Sequence, residues 1–392
     1  MNRNILMLNI PAEGHVNPSL GMIEAFVANG DCVHYITTDH YQERIENLGA
    51  SVHVHHDYLK HAHIDPASSE GILSFLHVHL HIALDTLAIV KRLREEITFD
   101  YVYYDSFGTG ELISTYLNIP GFSSSASFVL PEEWKHIIPL HPNHLPPLDA
   151  KANQMLAEMR EEYGVAPRNM LQFMNNQGAL TFAYTSAYFQ PQRDQFGEEF
   201  IFIGPSFPER KHTQNFPVAS LQESNVIFIS LGTVLSNVEE FFNKCIDAFK
   251  DFDGKIVMAT GARADYDKLQ EIPEHFLIYP YVPQLEVLPY ADIFITHGGM
   301  NSVNEAIQHN VPMLIIPHDK DQPMVAQRLM ELGAAQSLQP STLTPALLQQ
   351  GVKEVLDNSE YTQGIARIKE SFQQSPGPKH AVNQIEDYLK NE

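Results

Sequence analysis

Cysteine is nearly absent from the 392 residues: Cys32 and Cys245 are the two present. Two thiols cannot build a disulfide framework, a thiolate zinc site or a CxxC redox pair. Positive charge is scarce as well. Twenty-five lysines and arginines stand against 48 aspartates and glutamates, leaving a formal net charge of −23. Such a chain has no general field for nucleic acid or for an anionic membrane surface. Any anionic ligand must be held by a local set of donors. Long apolar runs are missing too: residues 1–10 hold too short a run for a signal peptide, and nowhere do 18 apolar residues follow one another. The expectation is a cytoplasmic protein without membrane insertion.

What is there is ordinary globular material, 44% hydrophobic and 19% charged. At roughly 150 residues per domain, its length gives two or three domains. Residues 4–10 form a compact apolar run, after which Asn17 and Pro18 offer an N-cap and a proline at the first helical position. That helix should reach about Asn29 and stop at Gly30. Residues 32–37, 51–55 and 101–104 read as strands, with a helix over 41–48. Strands buried on both faces and separated by helices describe a parallel sheet with right-handed crossovers.

Prolines then interrupt the pattern at 131, 139, 142, 146 and 147, so residues 130–149 are neither continuous helix nor central strand. Either they connect, or with Trp134 they wall a binding pocket. A second irregular stretch, with Pro205, Pro208 and Pro217, reads as a linker. Beyond it the alternation restarts, with strands over 225–230, 255–259, 276–279, 293–296 and 313–316. The expected division is an N-terminal domain over 1–205, a linker over 206–224 and a second domain over 225–375, leaving 376–392 as a terminal segment. Two doubly wound α/β domains facing a cleft are the simplest arrangement, with chemistry in the loops at the strands' carboxyl ends.

The densest signal runs from Tyr281 to Gln322. A strand ends at His297, Gly298 and Gly299 permit a tight turn, and a helix opens near Ser302. Free N–H groups at a helix start, with the positive end of its dipole, can hold phosphate without lysine or arginine. His297 can add a donor. Ser302 and Glu305 also match a capping box, in which Glu305 reaches back to the Ser302 amide; a carboxylate there could equally chelate the vicinal hydroxyls of a ribose. Ser230, Gly232 and Thr233 end the first strand of the second half and can add hydroxyl donors. In the first half, His15 follows the first strand and Asp105 ends a later one. A carboxylate that orients an imidazole and stabilises its protonated form makes a base for a hydroxyl.

Taken in this order and spacing, Gly14-His15-Val16-Asn17-Pro18, Asp105, Ser230-Leu231-Gly232-Thr233 and the 281–322 segment resemble the UDP-glycosyltransferase family (glycosyltransferase family 1). The likeness is closest to bacterial Bacillus-type macrolide and flavonoid glycosyltransferases, and it spans essentially the whole chain. It implies the GT-B fold, two facing Rossmann-like domains, the first for the acceptor and the second for the donor. It implies an inverting transfer of a hexose, glucose first, from a UDP-sugar to a hydroxyl of a small hydrophobic acceptor, giving a β-glycoside. By the same resemblance His15 is the catalytic base and Asp105 its partner. Ser230, Thr233, His297, Gly299, Asn301 and Ser302 contact the diphosphate, and Glu305 the ribose. Val282 bonds uracil through its backbone with Gln284 beside it, and Asp321 and Gln322 read the sugar hydroxyls. A C-terminal helix, similar to residues 379–389, crosses back to the first domain. Tyr281 and Met300 stand where plant members carry tryptophan. No metal, cofactor or obligate protein partner is implied.

Three DxD pairs (Asp251 and Asp253, Asp265 and Asp267, Asp319 and Asp321) are expected by chance in so acidic a chain. The histidines at 53, 55, 56, 61, 63, 77, 79 and 81 lack the carboxylate of an HExxH site and read as a polar face or a pocket lining. A UDP-sugar epimerase of similar fold and a non-catalytic auxiliary subunit are the alternatives. A dehydrogenase is disfavoured, since no GxGxxG follows the first strand.

Overall fold

The computed structural model describes residues 2–60, 62, 69–130, 147–173, 175–207, 216–232, 239–261 and 264–391. Thr233, Trp134, His61, His63 and most of the proline-rich stretch lie outside them. The chain divides into two compact units, Met1–Pro208 with Ser375–Glu392, and Glu209–Gln374.

Among the described residues, the first unit holds strands β1 (Asn4–Leu8), β2 (Cys32–Thr37), β3 (Ser51–Val54), β4 (Tyr101–Asp105), β5 (Gly121–Ser125), β6 (Thr181–Ala183) and β7 (Phe200–Phe202). Their order is β3-β2-β1-β4-β5-β6-β7, and the pairings are parallel. Both faces are covered. Leu6, Val102 and Tyr104 point to one apolar cluster, while Ile5, Met7, Tyr101 and Tyr103 point to another. This is the period-two alternation of a strand buried on both sides.

Helix Glu13–Ala28 begins earlier than Asn17. The Ala12 carbonyl accepts from the amides of both His15 and Val16, at 2.9 Å each. Pro18 therefore lies inside the helix instead of opening it, and His15 sits in its first turn. Strands β5 to β7 escape sequence reading because β6 and β7 have three residues each and β5 is polar, Gly-Phe-Ser-Ser-Ser. Its serines are buried yet satisfied: Ser123 Oγ meets Thr181 Oγ1 of β6 at 2.7 Å.

Helix Ser69–Leu93 corrects the hydropathy expectation. Its stretch Glu70–Leu93 is long and apolar enough to cross a membrane by length and composition. Leu76, Leu80, Ala83, Leu87 and Val90 recur at helical spacing and face the core of the first unit, so that face is already buried in protein. The terminal helix Gly377–Asn391 buries Ala381, Val382 and Ile385 in the cluster beneath helix Glu13–Ala28. Glu386 accepts two bonds from the Arg3 guanidinium, at 2.6 and 3.0 Å.

The second unit carries β8 (Val226–Ser230), β9 (Lys255–Ala259), β10 (Phe276–Tyr279), β11 (Ile293–Thr296), β12 (Met313–Ile315) and β13 (Ala335–Ser337). They are parallel, in the order β10-β9-β8-β11-β12-β13. Residues 216–224 belong to this unit, where the turn Val218–Leu221 buries Leu221. Strand order reverses between β1 and β4 in the first sheet and between β8 and β11 in the second. At such switch points the crossovers leave on opposite faces, and a crevice opens beyond the strand ends.

Candidate functional site

At the first switch point the structure joins His15 to Asp105. His15 Nδ1 lies 2.8 Å from Asp105 Oδ2, and the histidine side chain is 30% exposed while the carboxylate is fully buried. A carboxylate only accepts, so Nδ1 carries the hydrogen of this bond. Asp105 is placed by the end of β4. Its other oxygen, Oδ1, accepts from the Phe107 amide at 2.6 Å, which fixes the carboxylate's rotation. His15 is held from behind as well, since Asn9 Nδ2 donates to its carbonyl at 2.9 Å. The ring lies 5.3 Å from that of Phe107. A buried carboxylate bonded to a partly exposed imidazole is an arrangement that can take a proton from a hydroxyl and stabilise the resulting charge.

The second switch point gathers the other group. Ser230 at the end of β8 pairs with Thr296 at the end of β11, which sets Ser230 and His297 side by side. Gly232 takes φ +77°, and a Cβ there would lie 2.9 Å from the His297 ring, so only glycine fits both the backbone and the space. Burial lowers the His297 pKa to about 4, helped by the charges of His318 and Lys320, while a bond to the Ser230 backbone pulls the other way. The ring is neutral at pH 7.

Helix Met300–Gln308 opens at Gly299, with no side-chain cap. This corrects the expected start near Ser302: that residue lies inside the first turn, so Ser302 and Glu305 do not form a capping box. A Cβ on Gly299 would meet His297 Nε2 at 2.5 Å. Asn301 and Ser302, both half-buried, follow in the first turn, whose amides have no partner within the helix. Glu305 is 3% exposed, and its Oε2 accepts from Gln284 Nε2 at 2.7 Å. That bond ties the short helix Gln284–Val287 to helix Met300–Gln308. Tyr281, beside half-buried Val282, is 47% exposed.

Gln322 serves the loop before it. Its Oε1 accepts from the amides of His318 (2.9 Å) and Asp319 (3.3 Å), and its Nε2 donates to Asp319 Oδ1 at 3.1 Å. Lys320 in that loop holds a left-handed φ of +58°, strain that the Gln322 clamp can sustain. Asp321 ends the loop as the N-cap of helix Gln322–Glu331. Sequence reading grouped Gln322 with Asp321; the structure gives its side chain a holding task.

The remaining histidines scatter. His77 Nε2 meets Asp149 Oδ1 at 2.9 Å, His81 stacks on Tyr58, and His34 pairs with His53. Among the described residues no three His, Cys, Asp or Glu side chains gather as a metal would need.

Comparisons with known proteins identify the family. The family profile described as "Erythromycin biosynthesis protein CIII-like, C-terminal domain" matches residues 243–388. The uncharacterized UDP-glucosyltransferase YdhE of Bacillus subtilis (strain 168) is 52% identical over 390 residues, 99% of each chain. The NDP-glycosyltransferase YjiC of the same organism is 30% identical over 400 residues, covering 99% of this chain and 97% of its own. Among solved structures, the glycosyltransferase of kitacinnamycin superposes with a TM-score of 0.83 at 26% identity, over 98% of both chains. The chain belongs to the UDP-glycosyltransferase family. It is an enzyme of glycosyl transfer with the GT-B fold, each of its two domains Rossmann-like.

Proposed function

We propose that the protein transfers a hexose, glucose first among them, from a UDP-sugar to a hydroxyl of a small hydrophobic acceptor of the flavonoid, phenolic or macrolide kind. The first unit serves the acceptor and the second the donor. His15 Nε2 takes the acceptor's proton as its oxygen attacks the anomeric carbon. The bond from that carbon to the diphosphate oxygen breaks with inversion, and UDP leaves with the electron pair. An α-linked donor gives a β-glycoside. General-base help of this kind supplies about 10²- to 10⁴-fold.

The reading rests above all on the 2.8 Å contact between His15 and buried Asp105. Charge growing on the diphosphate meets the first-turn amides of helix Met300–Gln308 together with Ser230, Thr233, His297, Gly299, Asn301 and Ser302. Such donors, fixed before the reaction, stabilise a transition state without reorganising, which makes a divalent metal unnecessary. Glu305 takes the ribose hydroxyls with Gln284 fixing it, the Val282 backbone takes the uracil, and Asp321 reads the sugar beside Gln322. We assign the enzyme to the cytoplasm, acting without a partner chain. The names of YdhE and YjiC support nucleotide-sugar chemistry.

The test is mass spectrometry of the purified chain with a panel of UDP-hexoses against phenolic and macrolide acceptors, with and without chelator. The expected result is a chelator-insensitive monoglycoside whose NMR coupling is that of a β-anomer. An α-anomer, or an epimerised donor with no acceptor present, overturns the reading.

A further inference from the structure

A small pocket of the first unit is lined by Asn9, His55, His79, Thr86 and Thr109 among apolar neighbours. Its volume is about 10 Å³, on the order of a single water. Two residues of its lining each carry a buried side-chain atom, Asn9 Oδ1 and His79 Nε2, that has no hydrogen-bond partner among the described residues.

Both are acceptors, and their neighbours fix them as such. Asn9 must turn its NH₂ toward the His15 carbonyl, 2.9 Å away, since a carbonyl cannot donate. His79 Nδ1 lies 3.0 Å from the Phe75 carbonyl one turn back, so that nitrogen carries the hydrogen. Nε2 is then a bare lone pair. His79 is 1% exposed, and burial lowers its pKa to about 4, so it stays neutral. Two buried acceptors call for two hydrogens, and the space admits one heavy atom. A hydroxyl group has one hydrogen to give. A water has two, and it brings no charge into a buried place.

We propose that one water occupies this pocket, donates to His79 Nε2 and Asn9 Oδ1, and through Asn9 holds the His15 backbone. His79 and Asn9 are thus positioning residues for the base. Phe107 joins the same assembly. Its ring lies 5.3 Å from that of His15 and 5.6 Å from that of His79, and its amide donates to Asp105. The kinetic consequence rests on the assignment of His15 as base; the water itself does not.

Two measurements test this. A high-resolution crystal structure of the wild-type protein should show a density peak at about 2.7–3.1 Å from both atoms. An empty pocket, or either atom turned to another partner, overturns the proposal. His79→Leu should lower kcat about tenfold with the KM for UDP-sugar within about twofold, because a base displaced by a fraction of an ångström loses rate before affinity. His79→Gln, whose amide oxygen still accepts, should restore most of the rate. A wild-type kcat in a folded His79→Leu, or a His79→Gln equally impaired, overturns the positioning role. If His15→Ala keeps its rate, the base assignment falls instead, and the density alone decides the water.

Discussion

Two histidines follow strands at the two switch points, and their surroundings make them different reagents. His15 is 30% exposed and bonded at 2.8 Å to a buried carboxylate. Among the described residues His297 has no carboxylate bonded to its ring; desolvation first, then His318 and Lys320 nearby, lower its pKa to about 4. A carboxylate beside the ring favours its protonated form, while burial without such a partner disfavours it. The same residue type, in the helix after β1 in one unit and at the end of β11, the counterpart of β4, in the other, thus meets a carboxylate in one unit and stays neutral in the other. Loop environment, not fold, decides the chemistry.

The sharpest way to break this contrast is to alter each constellation in turn. His15→Ala should lower kcat by about 10²- to 10⁴-fold while calorimetry finds UDP binding unchanged. A near-normal rate removes the base. Glu305→Ala should weaken UDP by about 10- to 100-fold, the range for a lost bond to a charged group. Its melting temperature should fall only modestly by comparison, from the lost Gln284 bond, because the helix opens at Gly299 and not at a Ser302–Glu305 box. Lost stability with retained affinity would make Glu305 structural. Gly232→Ala forces a Cβ against the His297 ring at a left-handed φ and should cost about tenfold in UDP affinity. Unchanged affinity would mean that His297 and the 230–232 turn lie away from the nucleotide.

Much of this was legible in the sequence, and the limits have physical causes. Strands such as Lys255–Ala259 and Ile293–Thr296 announce themselves because parallel strands buried on both faces need unbroken apolar runs. Polar β5 does not, since its burial depends on Ser123 meeting Thr181 from a strand nearly 60 residues away. His15 and Asp105 could be paired because each follows or ends a strand of one sheet, and β1 and β4 prove to be neighbours. The helix starts at Glu13 and Gly299 were missed for one reason: neither uses a side-chain cap, so the residues before them carry no signal. The Gln284–Glu305 bond and the Asn9–His79 pocket are tertiary facts. No spacing rule reaches them.

The smallest effect concerns stability, and it separates buried neutral histidines from His15. A group whose folded pKa lies below its unfolded value gives stability that is present above the unfolded pKa, here 6.5, and lost as pH falls toward the folded one. For fully buried His79, with a folded pKa of about 4, the loss should begin near pH 6.5 and end near pH 4. Between about pH 7.5 and 5.5 it should amount to about 1 kcal/mol. Glu386, held below its usual 4.5 by the Arg3 bond, adds its own loss only at lower pH, so the two windows separate. Calorimetric melting across that range should therefore show a slope that His79→Gln reduces, His297 and His55 supplying the remainder in the same window, and that His15→Ala leaves in place. A flat wild-type profile, or a slope untouched by His79→Gln, would mean that His79 is solvated or carries a charge partner. The contrast between a ring built to accept protons and rings built to refuse them would then have to be redrawn.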